Sequence, residues 1–219
     1  MADGDLELRV AWQRHVGRDP DADATFASVV RRHHGAGRHY HDVRHVRWVV
    51  RHVLALAEQH PVADLDAVVA AAFFHDAVYA PERDDNEARS AELAVTSLHA
   101  LGWATPRCER VAAMILATEH RGQLDPPDTG TFDTGTFDTD VLLAADLAIL
   151  GAEPAAYADA VRNIRREYAH LDDAAWCAGR SALIDGFLGR ASIYPERLEM
   201  TTWERRARAN LTAELAALR

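Results

Sequence analysis

The chain has 219 residues, 48% of them hydrophobic, and a formal net charge of −10. That is enough apolar chain for one domain with a sizeable core or for two small ones, and the acidity argues against a general binder of nucleic acid or anionic membrane. All of the positive charge is arginine, which excludes any mechanism that needs a lysine.

The opening MADGDLELRV is acidic and lacks an apolar run, so a secretory leader is not expected. LELRVAWQRHV (6–16) and TFASVVRRHH (25–34) read as two opening helices. Residues 30–52 reverse the overall charge, with six arginines, six of the twelve histidines and Asp42 as the one acid. A solvated basic face explains such a run, and so does a phosphate-attracting rim around a site. Asp42 caps a helix from 43 to about 59, with Val46, Val49, Val50, Val53, Leu54 and Ala57 on one face. Asp64 caps the next, 65–79, which Pro81 and the polar APERDDN end. NEARSAELAVTSLHAL (86–101) is helical up to Gly102. Thr105 caps a further helix with Pro106 at its first position, running to Glu119 or His120.

Residues 121–138 read as a Pro/Gly/Asp-rich loop insertion. It carries most of a tandem pentapeptide, TFDTG then TFDTD (131–140), which lacks the twelve-residue calcium-loop pattern and reads as a duplication without a function. VLLAADLAIL (141–150) is helical, with Gly151 as its stop signal. Segments 155–170, 173–190 and 196–218 complete the pattern. No period-2 alternation is sustained, and no stretch approaches the roughly 18 apolar residues of a membrane span. The expected fold is all-α, one helical domain over 1–219. Cys108 and Cys177 lie far apart inside helical patterns, which fits a reducing cytoplasm better than a disulfide framework.

Three helices each carry a polar residue that burial does not tolerate alone. His75 and Asp76 interrupt the apolar run AVVAAAFFHDAVY. Asp146 has Leu142, Leu143, Ile149 and Leu150 as its helical neighbours, and His45 shares a face with Trp48 and Val49. A buried ionised carboxylate is several kcal/mol unfavourable unless it is paired, protonated or metal-bound. Two carboxylates and two imidazoles suit a shared divalent first-row ion. Without it, two facing carboxylates would force one to take up a proton, so Asp146→Asn should leave the metal-free protein at least as stable.

The order His, His-Asp, Asp on a helical chain resembles the HD superfamily of metal-dependent phosphohydrolases. YHDVRHV, FFHDAVY, DDNEARSA, ATEH, AADLAILG, NIRREY and WERRARANLTAEL resemble, in order, a family of predicted bacterial HD phosphohydrolases, over about residues 40–215. The TFDTG repeat departs from that family's shorter loop. The resemblance implies His45, His75, Asp76 and Asp146 as metal ligands. His41 reads as a site-lining or phosphate-contacting residue. His120 reads as a contact to substrate or to a second ion, with one ion expected. Glu87 reads as an acid/base group or as a helix-start glutamate. Arg44 and Arg38 are candidates for a phosphate clamp, and Arg165 for a phosphate contact or an ion pair with Glu167 or another carboxylate. Tyr40, Trp48, Phe73 and Phe74 read as core or pocket wall.

Four protein ligands leave about two positions on a six-coordinate ion for water and a phosphate oxygen, whereas zinc tends to close at four. Mn, Fe, Co, Ni or Mg therefore fits, with the two imidazoles weighing against Mg. The expected function is hydrolysis of a phosphate ester, with nucleotides among the substrates, by a metal-activated water in which Asp76 and Glu87 take part. The alternative is a non-catalytic HD module that binds a nucleotide or metal as a sensor. The expected partner is a small phosphorylated molecule, with no nucleic acid and no membrane.

Overall fold

The structure, a computed structural model, describes residues 3–119 and 137–219, with side chains from Leu6 onward. Among the described residues the regular structure is ten α-helices and two 3₁₀ turns, with no strand. The helices are α1 Asp3–His15, α2 Pro20–His33, α3 Val43–Ala57, α4 Leu65–Phe74, α5 Asn86–Ala100, α6 Thr105–Ala117, α7 Phe137–Asp146, α8 Pro154–Glu167, α9 Asp173–Gly189 and α10 Thr201–Leu218. His120, with the rest of 120–136, lies outside the described residues.

One contiguous core joins the helices. Its axis is α4, buried from Ala67 to Phe74 and packed by α1, α3, α5, α6 and α7. A helix that is apolar all round needs neighbours all round. Trp12 plugs its base, edge-on to Phe73 at 5.1 Å and tilted against Phe74 at 6.0 Å and Phe26 at 5.8 Å. Two of the three predicted N-caps form: Asp42 accepts from the Arg44 N–H, and Asp64 accepts from the Ala67 N–H. Among the described residues no single helix is long and apolar enough to cross a membrane. One pair, 137–151 with 154–167, passes that test jointly and is bent by 102°. Cys108 and Cys177 are unpaired.

Several boundaries depart from the sequence reading, among them α2, which begins at Pro20 rather than 25. Helix α4 ends at Phe74 rather than at 79, because side chains from elsewhere take over the backbone groups that follow. Arg38 donates to the carbonyls of Asp76 at 2.8 Å and Ala77 at 3.3 Å, Ser90 bonds both the N–H and the C=O of Val78, and Asn86 does the same for Ala80. Helix α6 is capped one residue early, at Ala104, and no side chain caps it. Helix α7 begins at Phe137, so FDTD of the second repeat is helical rather than loop. The Asp138 carboxylate accepts from Ala63 N–H at 2.7 Å and Asp64 N–H at 3.0 Å, which ties this first turn to the start of α4. Helix α10 starts at Thr201, after a 3₁₀ turn whose last cap, Glu199, has φ 50°.

Gly151 acts by closeness rather than by a left-handed stop. A Cβ there would lie 2.8 Å from the Tyr194 hydroxyl and 2.9 Å from Trp203 Cβ. Gly151→Ala is therefore expected to destabilise the protein by about 1–3 kcal/mol. Gly179 sits inside α9 with nothing within 4 Å of such a Cβ, and Gly179→Ala should stabilise by up to about 1 kcal/mol. Urea unfolding of both variants checks the contrast. Equal effects would refute it.

Candidate metal centre

Three elements deliver the cluster. His45 stands in the first turn of α3, capped by Asp42. His75 and Asp76 follow α4, where the chain leaves its helical ladder. Asp146 is the last residue of α7, at the switch into the 3₁₀ turn 147–151. The two imidazoles are buried, and the two carboxylates keep only 15% and 12% exposure.

The distances are short. His45 Nε2 lies 3.1 Å from His75 Nε2, 3.4 Å from Asp76 Oδ2 and 3.2 Å from Asp146 Oδ1. His75 Nε2 lies 3.2 Å from Asp76 Oδ2 and 3.5 Å from Asp146 Oδ1. The ligand atoms of His45, His75 and Asp76 all fall within 4.8 Å of one another. Donors bound at about 2.0–2.2 Å to one first-row ion sit roughly 3.0–3.5 Å apart at adjacent corners. His45, His75 and Asp76 therefore fit such an ion, and Asp146 Oδ1 stands beside them within 3.5 Å of both imidazole nitrogens. The donor chemistry fits as well: His75 Nδ1 donates to the Ala72 carbonyl at 2.9 Å, which leaves Nε2 as the ligand nitrogen. His45 Nδ1 is buried and has no hydrogen-bond partner.

Without an ion, protons supply the positive charge. Burial works against the His75 imidazolium, but the charge of Asp76 and the bonds to Asp146 and Asp76 prevail and hold its pKa well above the ordinary value. His45 is raised in the same way, against its own burial, by Asp146 and Asp76. Burial pushes Asp76 up, yet the charges of His75 and His41 and the bonds from both imidazoles hold it well below the usual carboxylate range. This corrects the expectation of two mutually repelling carboxylates. Each carboxylate faces both imidazoles, so Asp146→Asn removes a counter-charge and should lower the stability of the metal-free protein.

The other predicted residues fall in three places. His41 lines the site, its ring 5.6 Å from that of His45 and 4.3 Å from that of Tyr79, with Nδ1 held 2.7 Å from Glu167 Oε2. Arg44 is exposed and bonds the Asp42 carboxylate and the His39 carbonyl. Arg38 bonds the carbonyls of His41, Asp76 and Ala77, which makes it a brace of the turn rather than a phosphate clamp. Arg165 bonds the carbonyls of Tyr168 and Leu171 and pairs with Asp173 at 2.9 Å; its carboxylate is thus Asp173, not Glu167. Glu87 stands partly buried in the first turn of α5, where its charge acts on the Tyr168 hydroxyl.

Two residues that sequence reasoning passed over support the site. His33 is 1% exposed. It hydrogen-bonds the Phe73 carbonyl at 3.2 Å and the Arg38 guanidinium at 3.3 Å. Burial and then the charge of Arg38 press its pKa down to about 3, so it is a neutral ring. Glu167 reads in the sequence only as a partner for Arg165. Its burial opposes ionisation, but the bonds from His41 and from backbone N–H groups bring its pKa down to about 2. The signal was present: Tyr157, Ala160, Ile164 and Glu167 fall on one helical face.

A recess of about 170 Å³ adjoins His45, lined by Tyr40, Trp48, Ile149 and Asn163 among others. A groove of about 700 Å³ between α1 and α3 contains none of the cluster. Comparison of the chain with protein-family models, with curated proteins and with solved structures finds no match.

The raised imidazole pKa values give a signed expectation. Their stabilising charge is fully present below the unfolded value of about 6.5 and is lost as pH rises through the folded value. In chelator, the melting temperature should therefore fall as pH rises above neutrality. Binding of a divalent ion should release protons, about one or more per ion at pH 7. Calorimetric titration in buffers of different ionisation enthalpy reads this number. A release of zero would contradict the shared site.

Proposed function

We propose that the chain is a metal-dependent phosphohydrolase of the HD type that cleaves a phosphate ester, with nucleotides among its candidate substrates. The observation that supports this best is the convergence of two imidazole Nε2 atoms and two carboxylates from three separate elements, with His45, His75 and Asp76 at spacings suited to one ion and Asp146 beside both imidazoles. The ordered motifs from YHDVRHV to WERRARANLTAEL point the same way. His45, His75, Asp76 and Asp146 would hold the ion. Such an ion supplies Lewis acidity, lowering the pKa of a water to about 7 and offsetting phosphoryl charge.

The chain's own residues have defined tasks in this reading. The two imidazoles bind as neutral donors through Nε2, and His75 is held in that tautomer by Ala72. Asp76 and Asp146 neutralise the ion, and Asp76 sits where it can orient a water. His41 lines the approach. With two imidazoles and two carboxylates, Mn, Fe, Co or Ni is a better match than Mg. A second ion through His120 is the further step the resemblance implies.

A sensor that binds metal or nucleotide without turnover is the second reading. The recess beside His45, at about 170 Å³, is smaller than the roughly 300 Å³ at which ligand pockets begin, which favours a sensor of metal over one of nucleotide. A phosphate-release screen of nucleotides and sugar phosphates, with each divalent metal added to metal-stripped protein, separates the two. The hydrolase reading expects release with at least one metal and none in chelator. No release with any metal, despite bound ion, supports the sensor.

Variants sharpen the assignment. Asp146→Asn should fold, lose metal, and lose phosphate release by at least about 100-fold. Glu87→Gln should keep its metal, and its turnover falls only if Glu87 moves protons. Metal analysis and phosphate release read both. Full metal content and full activity in Asp146→Asn would sink the four-residue site.

A further inference from the structure

Glu167 ends α8 with a fully buried carboxylate, while the His41 ring that it holds keeps 21% exposure. Five donors converge on this one group. The backbone N–H groups of His39, Tyr40 and His41 reach Oε1 at 2.7, 2.7 and 2.9 Å. His41 Nδ1 reaches Oε2 at 2.7 Å, and the Tyr79 hydroxyl at 2.9 Å. Three successive N–H groups aimed at one oxygen fix the strand of chain that enters α3, and the two side-chain donors fix the ring beside it.

The hydrogen positions follow from donor chemistry. An ionised carboxylate only accepts. His41 Nδ1 must therefore carry its hydrogen, and in the neutral form of the ring Nε2 is the bare nitrogen. A tilted contact with Tyr79 at 4.3 Å and edge contacts to Tyr40 at 4.8 Å and His45 at 5.6 Å hold the ring plane. A bare imidazole nitrogen accepts a hydrogen bond. It suits a water or a hydroxyl, and it does not suit a phosphate oxygen, which carries lone pairs of its own.

We propose that Glu167 is a positioning residue that fixes the tautomer and plane of His41, so that His41 Nε2 orients a water or substrate hydroxyl at the metal centre rather than gripping phosphate. This rests on the hydrolase reading above, and it reassigns His41 from a phosphate contact to an acceptor.

Glu167→Gln isolates the effect. The amide oxygen still accepts the three backbone N–H groups, but the amide NH₂ now donates toward His41 Nδ1. That turns His41 into the Nε2–H tautomer with little change of shape. The expected result is a fall in kcat of about 10–100-fold, with KM within about threefold. In a His41→Ala background the same substitution should cost less than about twofold, because Glu167 acts through His41. Glu167→Asp, which keeps the charge, should recover part of the loss.

A second readout needs no turnover. Imidazole ¹⁵N spectra of the full chain, loaded with a diamagnetic divalent ion and read at the alkaline plateau of a pH series, report the tautomer directly. The proposal expects His41 protonated on Nδ1 in wild type and on Nε2 in Glu167→Gln. An Nε2–H ring in wild type overturns it. So does a KM-only effect, or an equal loss in the His41→Ala background. If wild type binds metal but releases no phosphate, the hydrolase reading fails, and the spectrum still decides what Glu167 does to His41.

Discussion

Two carboxylates are held almost out of water by a helix bundle, and that requirement for positive charge organises everything around it. Asp76 and Asp146 keep 15% and 12% exposure and face the same pair of imidazole nitrogens. An unpaired charge in such a place costs several kcal/mol. The chain meets this with two histidines that take up protons or yield lone pairs to a cation. Either way the cluster calls for positive charge, and a metal ion bound there would compete with protons.

The cluster depends on backbone that is not helical. Had α4 continued to residue 79, His75 and Asp76 would lie about 100° apart around its axis and diverge. The chain instead unwinds after Phe74, and its freed carbonyls and amides are satisfied by Arg38, Asn86 and Ser90. Glu167 performs the same service for residues 39–41. Arg38 also bonds the His41 carbonyl, so the two stretches of chain that flank the cluster are tied to each other. Arginine suits that task, since one planar guanidinium serves several acceptors at once.

The all-helical class was legible because apolar residues recur on one face of nearly every segment. The four candidate donors stand out in sequence for the converse reason: His45, His75, Asp76 and Asp146 are polar residues on faces that must be buried. Glu167 carried the same signal on α8, yet the adjacent Arg165 offered a simpler explanation for it. The ends of α4 and α7 were not legible. They are set by Arg38, Asn86, Ser90 and Asp138 reaching across the fold, and local propensity holds no record of those partners. The roles of Arg38 and Arg165 were hidden likewise, because a guanidinium that binds carbonyls looks in sequence like one awaiting phosphate.

The central claim is that His45, His75, Asp76 and Asp146 share one divalent ion, and anomalous diffraction tests it most directly. Crystals grown with manganese or cobalt, measured on either side of the metal's absorption edge, locate the ion without reference to activity. The account predicts one anomalous peak about 2.0–2.3 Å from both Nε2 atoms and from an oxygen of each carboxylate. A protein that takes up the metal but shows its peak away from these four side chains, or shows none between them, would contradict it.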